Sequence, residues 1–128
     1  MKVILEPAEA EKYFHNALCN GSGELACYGI RLDYKEEDVA KARAAWKKAN
    51  PEETMCREDV WLGILKEGGE LTFTDEDDDE FKVTLAMVHE RVQLTPLRHL
   101  QDMINENDDA ITADCILQTV IFGEVIYG

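Results

Sequence analysis

The chain is expected to fold in the α+β class, as a small, mostly antiparallel sheet of about five short strands packed by five or six helices. Three observations predict this. Apolar residues recur at helical spacing in five separate stretches, and short alternating or β-branched stretches lie between them. The 128 residues, 45% of them apolar, suffice for one sizeable core. No internal repeat and no linker divides them, so residues 1–128 read as a single globular domain.

Val3-Ile4-Leu5 reads as a first strand closed by Pro7. A helix follows from Ala8, with Ala10, Tyr13, Phe14, Ala17 and Leu18 on one face, and Asn20-Gly21 as its left-handed stop. Residues 24–32 then alternate, placing Ala26, Tyr28, Ile30 and Leu32 on one side of a half-buried strand. Asp33 and Glu36 form a capping-box pattern for a helix with Val39, Ala42, Trp46 and Ala49 as its buried stripe, stopped at Asn50-Pro51. Acids at its start and Lys47-Lys48 at its end suit the helix dipole. The next helix covers Arg57 to Glu67, burying Val60, Trp61, Ile64 and Leu65, and ends at Gly68-Gly69.

Leu71–Thr74 and Phe81–Leu85 alternate correctly for paired strands around an acidic tip. Thr95-Pro96 supplies a cap and a first-turn proline for a helix whose core face is Leu97, Leu100, Met103 and Ile104. Thr112 caps a last helix with Ala113, Ile116, Leu117, Val120 and Ile121 inward, ending at Gly123. Val125-Ile126-Tyr127 reads as a closing strand.

Charge is the most informative property of the composition. The net charge is −14, and it is uneven. Residues 1–66 carry 12 acids and 10 bases, whereas residues 67–128 carry 15 acids and 3 bases, with no Lys or Arg after Arg98. Nucleic-acid binding rests on clustered cations that release phosphate counterions. This chain presents the reverse field, which repels nucleic acid and anionic membrane and attracts basic partners. No apolar run approaches a membrane span, and Glu6 and Pro7 follow the first apolar residues too soon for a signal peptide, so a soluble, cytoplasmic protein is expected. Cys19, Cys27, Cys56 and Cys115 form no CxxC pair and read as reduced, packed thiols.

The run Asp75-Glu76-Asp77-Asp78-Asp79-Glu80 offers carboxylates to a hard cation. Counted as a calcium loop from Asp75, however, it has Glu80 where glycine belongs and Ala86 where the bidentate Glu belongs. A solvated, mobile hairpin tip is the simpler reading. His89-Glu90-Arg91-Val92-Gln93 begins like the zinc-protease pattern HExxH, but Gln93 replaces the second ligand. His99 and Asp102 lie farther along and meet His89 only if the fold brings them together. His15 and Cys19, at i and i+4 on the first helix, are the beginnings of a nucleophile–base pair or a zinc site, with Cys27 as a conceivable third ligand. Gly21-Ser22-Gly23 follows a helix rather than opening one, so it is a turn and not a phosphate cradle.

These residues favour a non-catalytic, acidic interaction protein that binds a basic protein partner or forms a homo-oligomer. Its candidate surface comprises Asp75, Glu76, Asp77, Asp78, Asp79, Glu80, Asp108, Asp109 and Asp114. One alternative is an inhibitor of the DNA-mimic or toxin-neutralising kind, whose carboxylates imitate phosphates. The other is a small enzyme or metal-binding protein assembled from His89, His99, the cysteines and carboxylates. No catalytic residue, metal ligand set or cofactor is assigned from sequence.

Overall fold

The structure is a computed structural model that describes residues 3–127. Its described residues form six α-helices, one 3₁₀ turn and three strands. In chain order these are α1 (Pro7–Cys27), β1 (Arg31–Asp33), α2 (Glu36–Ala49), α3 (Arg57–Lys66), β2 (Leu71–Thr74), β3 (Glu80–Val83), α4 (Leu85–Arg91), the 3₁₀ turn Val92–Leu94, α5 (Leu97–Ile104) and α6 (Ala110–Phe122). The α+β class is as expected, with three strands rather than about five.

The last helix is the axis of the fold. Residues 112 to 121 of α6 are buried on every side, as α1, α4, α5, the 3₁₀ turn and β3 pack around it. Its start is fixed by Asp109, whose Oδ1 accepts the Thr112 N–H at 2.9 Å; Thr112 itself is not the cap. Its end is fixed by Gly123 in the left-handed region at φ 85°. The helix carries no base in its last turn, and Arg91 of α4 supplies one from outside, donating to the Val120 carbonyl at 3.0 Å.

The principal partner of α6 is α1, and the contact explains why α1 is longer than expected. Asn20-Gly21 does not stop this helix, which continues through Ser22 and Gly23 to Cys27. A Cβ on Gly21 would lie 2.9 Å from the Ala113 Cβ and 3.0 Å from the Asp114 backbone nitrogen. The glycine is therefore a place of close helix approach, and burial of Leu25 one turn later sustains the helix past its local breakers. The alternation of residues 24–30 is absorbed into α1 and its turn, leaving β1 only three residues.

The sheet has the order β1-β2-β3, antiparallel throughout. Leu71 pairs with Val83 and Phe73 with Phe81, a register that keeps the alternating apolar residues of both strands together. Leu85 is not part of the strand; it opens α4, a helix the sequence reading did not identify, capped by the Thr84 hydroxyl. The N-cap of α2 is Lys35 rather than Asp33, and that of α5 is Pro96, so both helices begin one to two residues later than their local signals.

The two terminal segments are extended but unpaired with the sheet. The Leu5 N–H donates to the Gln93 Oε1 at 3.0 Å. At the other end, the buried Gln118 side chain takes the place of a neighbouring strand. Its Oε1 accepts the Ile126 and Tyr127 N–H groups, each at 2.8 Å, and its Nε2 donates to the Tyr127 carbonyl at 3.2 Å. These four backbone groups are satisfied without a ladder. Among the described residues no helix is long and apolar enough to cross a membrane.

The two helical glycines of α1 make opposite forecasts. Gly23 has open space where a Cβ would go, so Gly23→Ala should stabilise the protein by about 0.5–1 kcal/mol through helix propensity alone. Gly21→Ala has the same propensity gain but must push α1 off α6, and overpacking of this kind costs about 1–3 kcal/mol. Chemical denaturation of the two variants should give midpoints on opposite sides of the wild type.

Candidate functional site

The end of α1 and the turn after it gather both acidic segments. On one side, Asn20 Nδ2 donates to Asp108 Oδ2 at 3.3 Å and the Tyr28 hydroxyl donates to Asp114 Oδ2 at 2.8 Å. On the other, Glu76 lies against Gly29, where a Cβ would come within 2.4 Å of the Glu76 Cγ. Gly29 also has φ 78°, so glycine is required there on two counts. Arg31 reaches Asp78 at 3.2 Å, an exposed pair of little energetic weight.

The nine candidate carboxylates thus have different roles. Glu76, Asp77, Asp78, Asp79 and Glu80 are exposed. Asp75 organises their turn, its Oδ1 accepting the N–H groups of Asp77 at 2.9 Å and Asp79 at 3.0 Å, so the tip is a hydrogen-bonded turn. Asp109 is the α6 cap, and the Thr112 N–H bond holds its carboxyl below the usual range. Asp114 is not a surface residue: it is only 8% exposed.

Asp114 instead lines a cleft of about 280 Å³, together with Glu24, Tyr28, Ile111, Val125 and Tyr127. Tyr28 and Tyr127 stack in this cleft with ring centroids 4.6 Å apart and planes 9° from parallel. Asp114 Oδ2 receives both the Tyr28 hydroxyl and Gln118 Nε2, the latter at 3.0 Å. Its Oδ1 is buried with no partner. An unpaired buried acceptor costs about 1–3 kcal/mol. The hydrogen bond to Asp114, then burial and the charges of Asp114 and Glu24, push the Tyr28 phenol up to about 12. Ile111 and Ile126, 65% and 50% exposed, give the cleft region an apolar margin.

A second cluster lies near the middle of α1, where that helix packs on α3. His15 Nε2 meets Asp59 Oδ1 at 2.8 Å, and the Cys56 thiol donates to Asp59 Oδ2 at 3.0 Å. Asp59 also accepts the Cys56 N–H at 3.1 Å, bracing the start of α3. Cys19 Sγ lies 3.9 Å from His15 Nδ1. Burial opposes ionisation of Asp59, but hydrogen bonds from Cys56 and His15, with the imidazolium charge, hold its carboxyl below the usual range. The thiols move the other way. Cys19 is raised by burial and by the charges of Glu58 and Asp59; Cys56 is raised chiefly by its hydrogen bond to Asp59 and then by burial. A nucleophilic cysteine needs a depressed pKa, so the cluster as it stands does not activate a thiolate.

The remaining histidines do not converge. His89 pairs with Glu11 of α1 at 2.8 Å, which also approaches Lys66 at 3.8 Å. His99 has a buried Nδ1 without a partner and is no part of that pair. Among the described residues, His15, Cys56 and Asp59 are the one set of three or more metal-competent side chains within 4.8 Å of one another. Cys27 is exposed and outside it, contrary to its candidacy as a third ligand. The expectation of packed thiols holds only for Cys115, since Cys19, Cys27 and Cys56 are all exposed. The i, i+3 pair Cys56 and Asp59 was visible in the sequence only as a weak helix start.

Comparison of the chain with protein-family models, curated proteins and solved structures finds no match.

Two titrations check this geometry. The Tyr28 phenol is raised in the folded state, so its contribution to stability is complete below pH 10 and disappears as pH rises toward about 12. Asp114→Asn should return the Tyr28 phenol toward 10, read as the ultraviolet phenolate signal absent from Tyr28→Phe. Retention of the high value in Asp114→Asn would contradict the hydrogen-bond origin.

Asp59 works in the acid range. Its folded pKa is lowered, so its stabilisation is complete above the ordinary value of 3.8 and is lost as pH falls through the folded value. Asp59→Ala should therefore cost about 1 kcal/mol at neutral pH, the loss of a helix-start bond. The gap from wild type should close in strong acid, as followed by denaturation across pH.

Proposed function

We propose that this protein is a non-catalytic, acidic interaction protein, and that the Tyr28–Asp114 cleft seats a cationic side chain of a basic protein partner. The observation that carries this reading is the buried Asp114 carboxylate, half satisfied, lining an aromatic cleft. A guanidinium or ammonium entering there would give Oδ1 a charged donor, a contact worth about 1.5–3 kcal/mol. An outer face of the stacked Tyr28–Tyr127 pair adds cation–π attraction, about 0.5–2 kcal/mol according to how dry the contact is. Ile111, Val125 and Ile126 suit apolar residues flanking the cation.

The surrounding field favours the same class of partner. Glu24 lines the cleft and Asp108 is held beside the same helix, in a part of the chain with no Lys or Arg after Arg98. Exposed carboxylates steer encounter, whereas the buried one governs residence. The acidic turn at 75–80 extends the negative surface from the other side of Gly29.

The test uses short peptides with Arg, Lys or Gln at a central position between apolar residues, measured by calorimetry and stopped-flow mixing. The Arg or Lys peptide should bind and the Gln peptide should not. Asp114→Asn, which keeps the shape of the side chain, should weaken binding roughly tenfold to a hundredfold through dissociation. The pair Glu24→Gln and Asp108→Asn should slow association and flatten its salt dependence. Neutralising Glu36, Glu37 and Asp38, at the start of the lysine-bearing helix α2, should change little. Equal binding of Gln and Arg peptides, or an unchanged Asp114→Asn, would remove the cleft as the binding site.

A further inference from the structure

The cluster on the α1–α3 face has no part in the cleft, and its composition points to a different ligand. From its geometry we infer that His15, Cys56 and Asp59, with Cys19 as the fourth ligand, form a site for a divalent cation of the zinc class.

The four side chains arrive as two pairs from two packed helices. His15 and Cys19 are one turn apart on α1, so both project from one face. Cys56 and Asp59 are the N-cap and third residue of α3, so both project from its first turn. The ligand atoms of His15, Cys56 and Asp59 already lie within 4.8 Å of one another, whereas Cys19 lies outside that set, 3.9 Å from the other His15 ring nitrogen, and must swing inward to join it. A tetrahedral zinc site, with metal–ligand bonds of about 2.0–2.3 Å, needs ligand atoms roughly 3.3–3.8 Å apart. Hydrogen bonds of 2.8 and 3.0 Å now draw the three atoms together, and a small outward movement of each makes room for an ion.

A purely structural reading accounts for only part of the cluster. The Cys56 side chain and Asp59 form a capping box at the start of α3, but neither that box nor the His15–Asp59 contact needs a thiol. Serine, threonine or aspartate caps a helix well, and cysteine is not among the favoured residues. Two of the three exposed thiols of the chain nevertheless stand here, beside one imidazole and one carboxylate. Arg57 is engaged by Glu58 at 3.1 Å and lies over the Trp61 ring at 5.4 Å, which leaves Asp59 with His15 alone.

Two sulfurs and one imidazole nitrogen select zinc-like ions over magnesium and calcium, which prefer all-oxygen shells. Binding replaces protons with metal. Each thiol releases its proton to solvent as its sulfur bonds the ion, and a protonated His15 releases one from the nitrogen that bonds it, so at least two protons leave per cation bound and no oxidant or reductant is involved. The positive ion reverses the local electrostatics that now raise both thiols. Bound, it joins α1 to α3 directly.

The experiment is titration of the reduced, full-length chain with Co²⁺, whose visible and thiolate charge-transfer bands report tetrahedral sulfur coordination, followed by displacement with Zn²⁺. One cation per chain is expected, with both bands, proton release and a higher melting temperature in Zn²⁺. Cys56→Ser and His15→Gln should each weaken binding at least a hundredfold. Cys19→Ser should weaken it about tenfold and reduce the charge-transfer band. Cys115→Ser and His89→Gln should bind as the wild type does. Cys56→Ser is the decisive variant, because serine is the better cap and the metal-free protein should be as stable as before or more so. Absence of the cobalt bands, or wild-type affinity in Cys56→Ser or His15→Gln, would overturn the site. An unchanged Cys19→Ser would remove Cys19 as the fourth ligand.

Discussion

The close approach of α1 and α6 at Gly21 and Ala113 is the constraint on which the rest of the molecule depends. A side chain at position 21 would collide with the Ala113 backbone, so only glycine lets the two helices reach this separation. With α1 in place, α6 is covered on its last open side and becomes a buried helix that still carries polar residues. Those polar groups must find partners inside the fold, because burial without them costs more than a typical hydrogen bond returns. Thr119 bonds back to the Cys115 carbonyl at 2.7 Å, Gln118 ties down the C-terminal segment, and Asp114 meets Tyr28. The cleft is a consequence of that arrangement: Tyr28 stands at the end of α1, Tyr127 is held by Gln118, and the two rings stack where the two tethers meet.

Both candidate sites are organised by α1. His15 and Tyr28 are separated by about 20 Å along the chain if the helical rise is carried through the last turn. At each site a carboxylate from another helix meets the α1 side chain, and the same physical agent acts. Asp114 raises the Tyr28 phenol, and Asp59 helps to raise Cys56 and Cys19, because a nearby negative charge disfavours a second one. The two places differ in their donors: the cleft sets a carboxylate beside aromatic rings, whereas the α1–α3 cluster sets sulfur and nitrogen beside one.

The acidic composition has several roles at once. Asp109 stabilises a helix start and Asp75 organises a tight turn, so these carboxylates are structural before they are electrostatic. Glu76 packs on Gly29 and brings the hairpin turn against the end of α1. Only the exposed remainder is free to shape the long-range field. A count of charges therefore overstates how much of the acidic half is available to a partner, and Asp114 illustrates the opposite error. It is nearly buried, and one of its oxygens has no partner.

What the sequence by itself determined is the set of elements whose signal is local. The α2, α3 and α6 helices follow from apolar spacing and charge placement, and the pairing of residues 71–74 with residues 80–83 follows from their alternation around a turn. Gly123 ends α6 because glycine enters the left-handed region freely. Where tertiary contacts outweighed local preference, the sequence misled. Asn20-Gly21 resembles a helix stop, but its fate was decided by Ala113, about ninety positions away. Val3–Leu5 and Val125–Tyr127 have strand composition, but the side chains of Gln93 and Gln118 satisfied backbone groups that a sheet edge would otherwise have taken. Asp114 read as exposed because the apolar stripe of α6 marks one face, whereas the fold covers every face. His15 and Cys19 were visible as a pair from their spacing. Their union with Cys56 and Asp59 depends on how α1 packs on α3, and helical periodicity, which records only neighbours along one helix, holds no information about a contact between two.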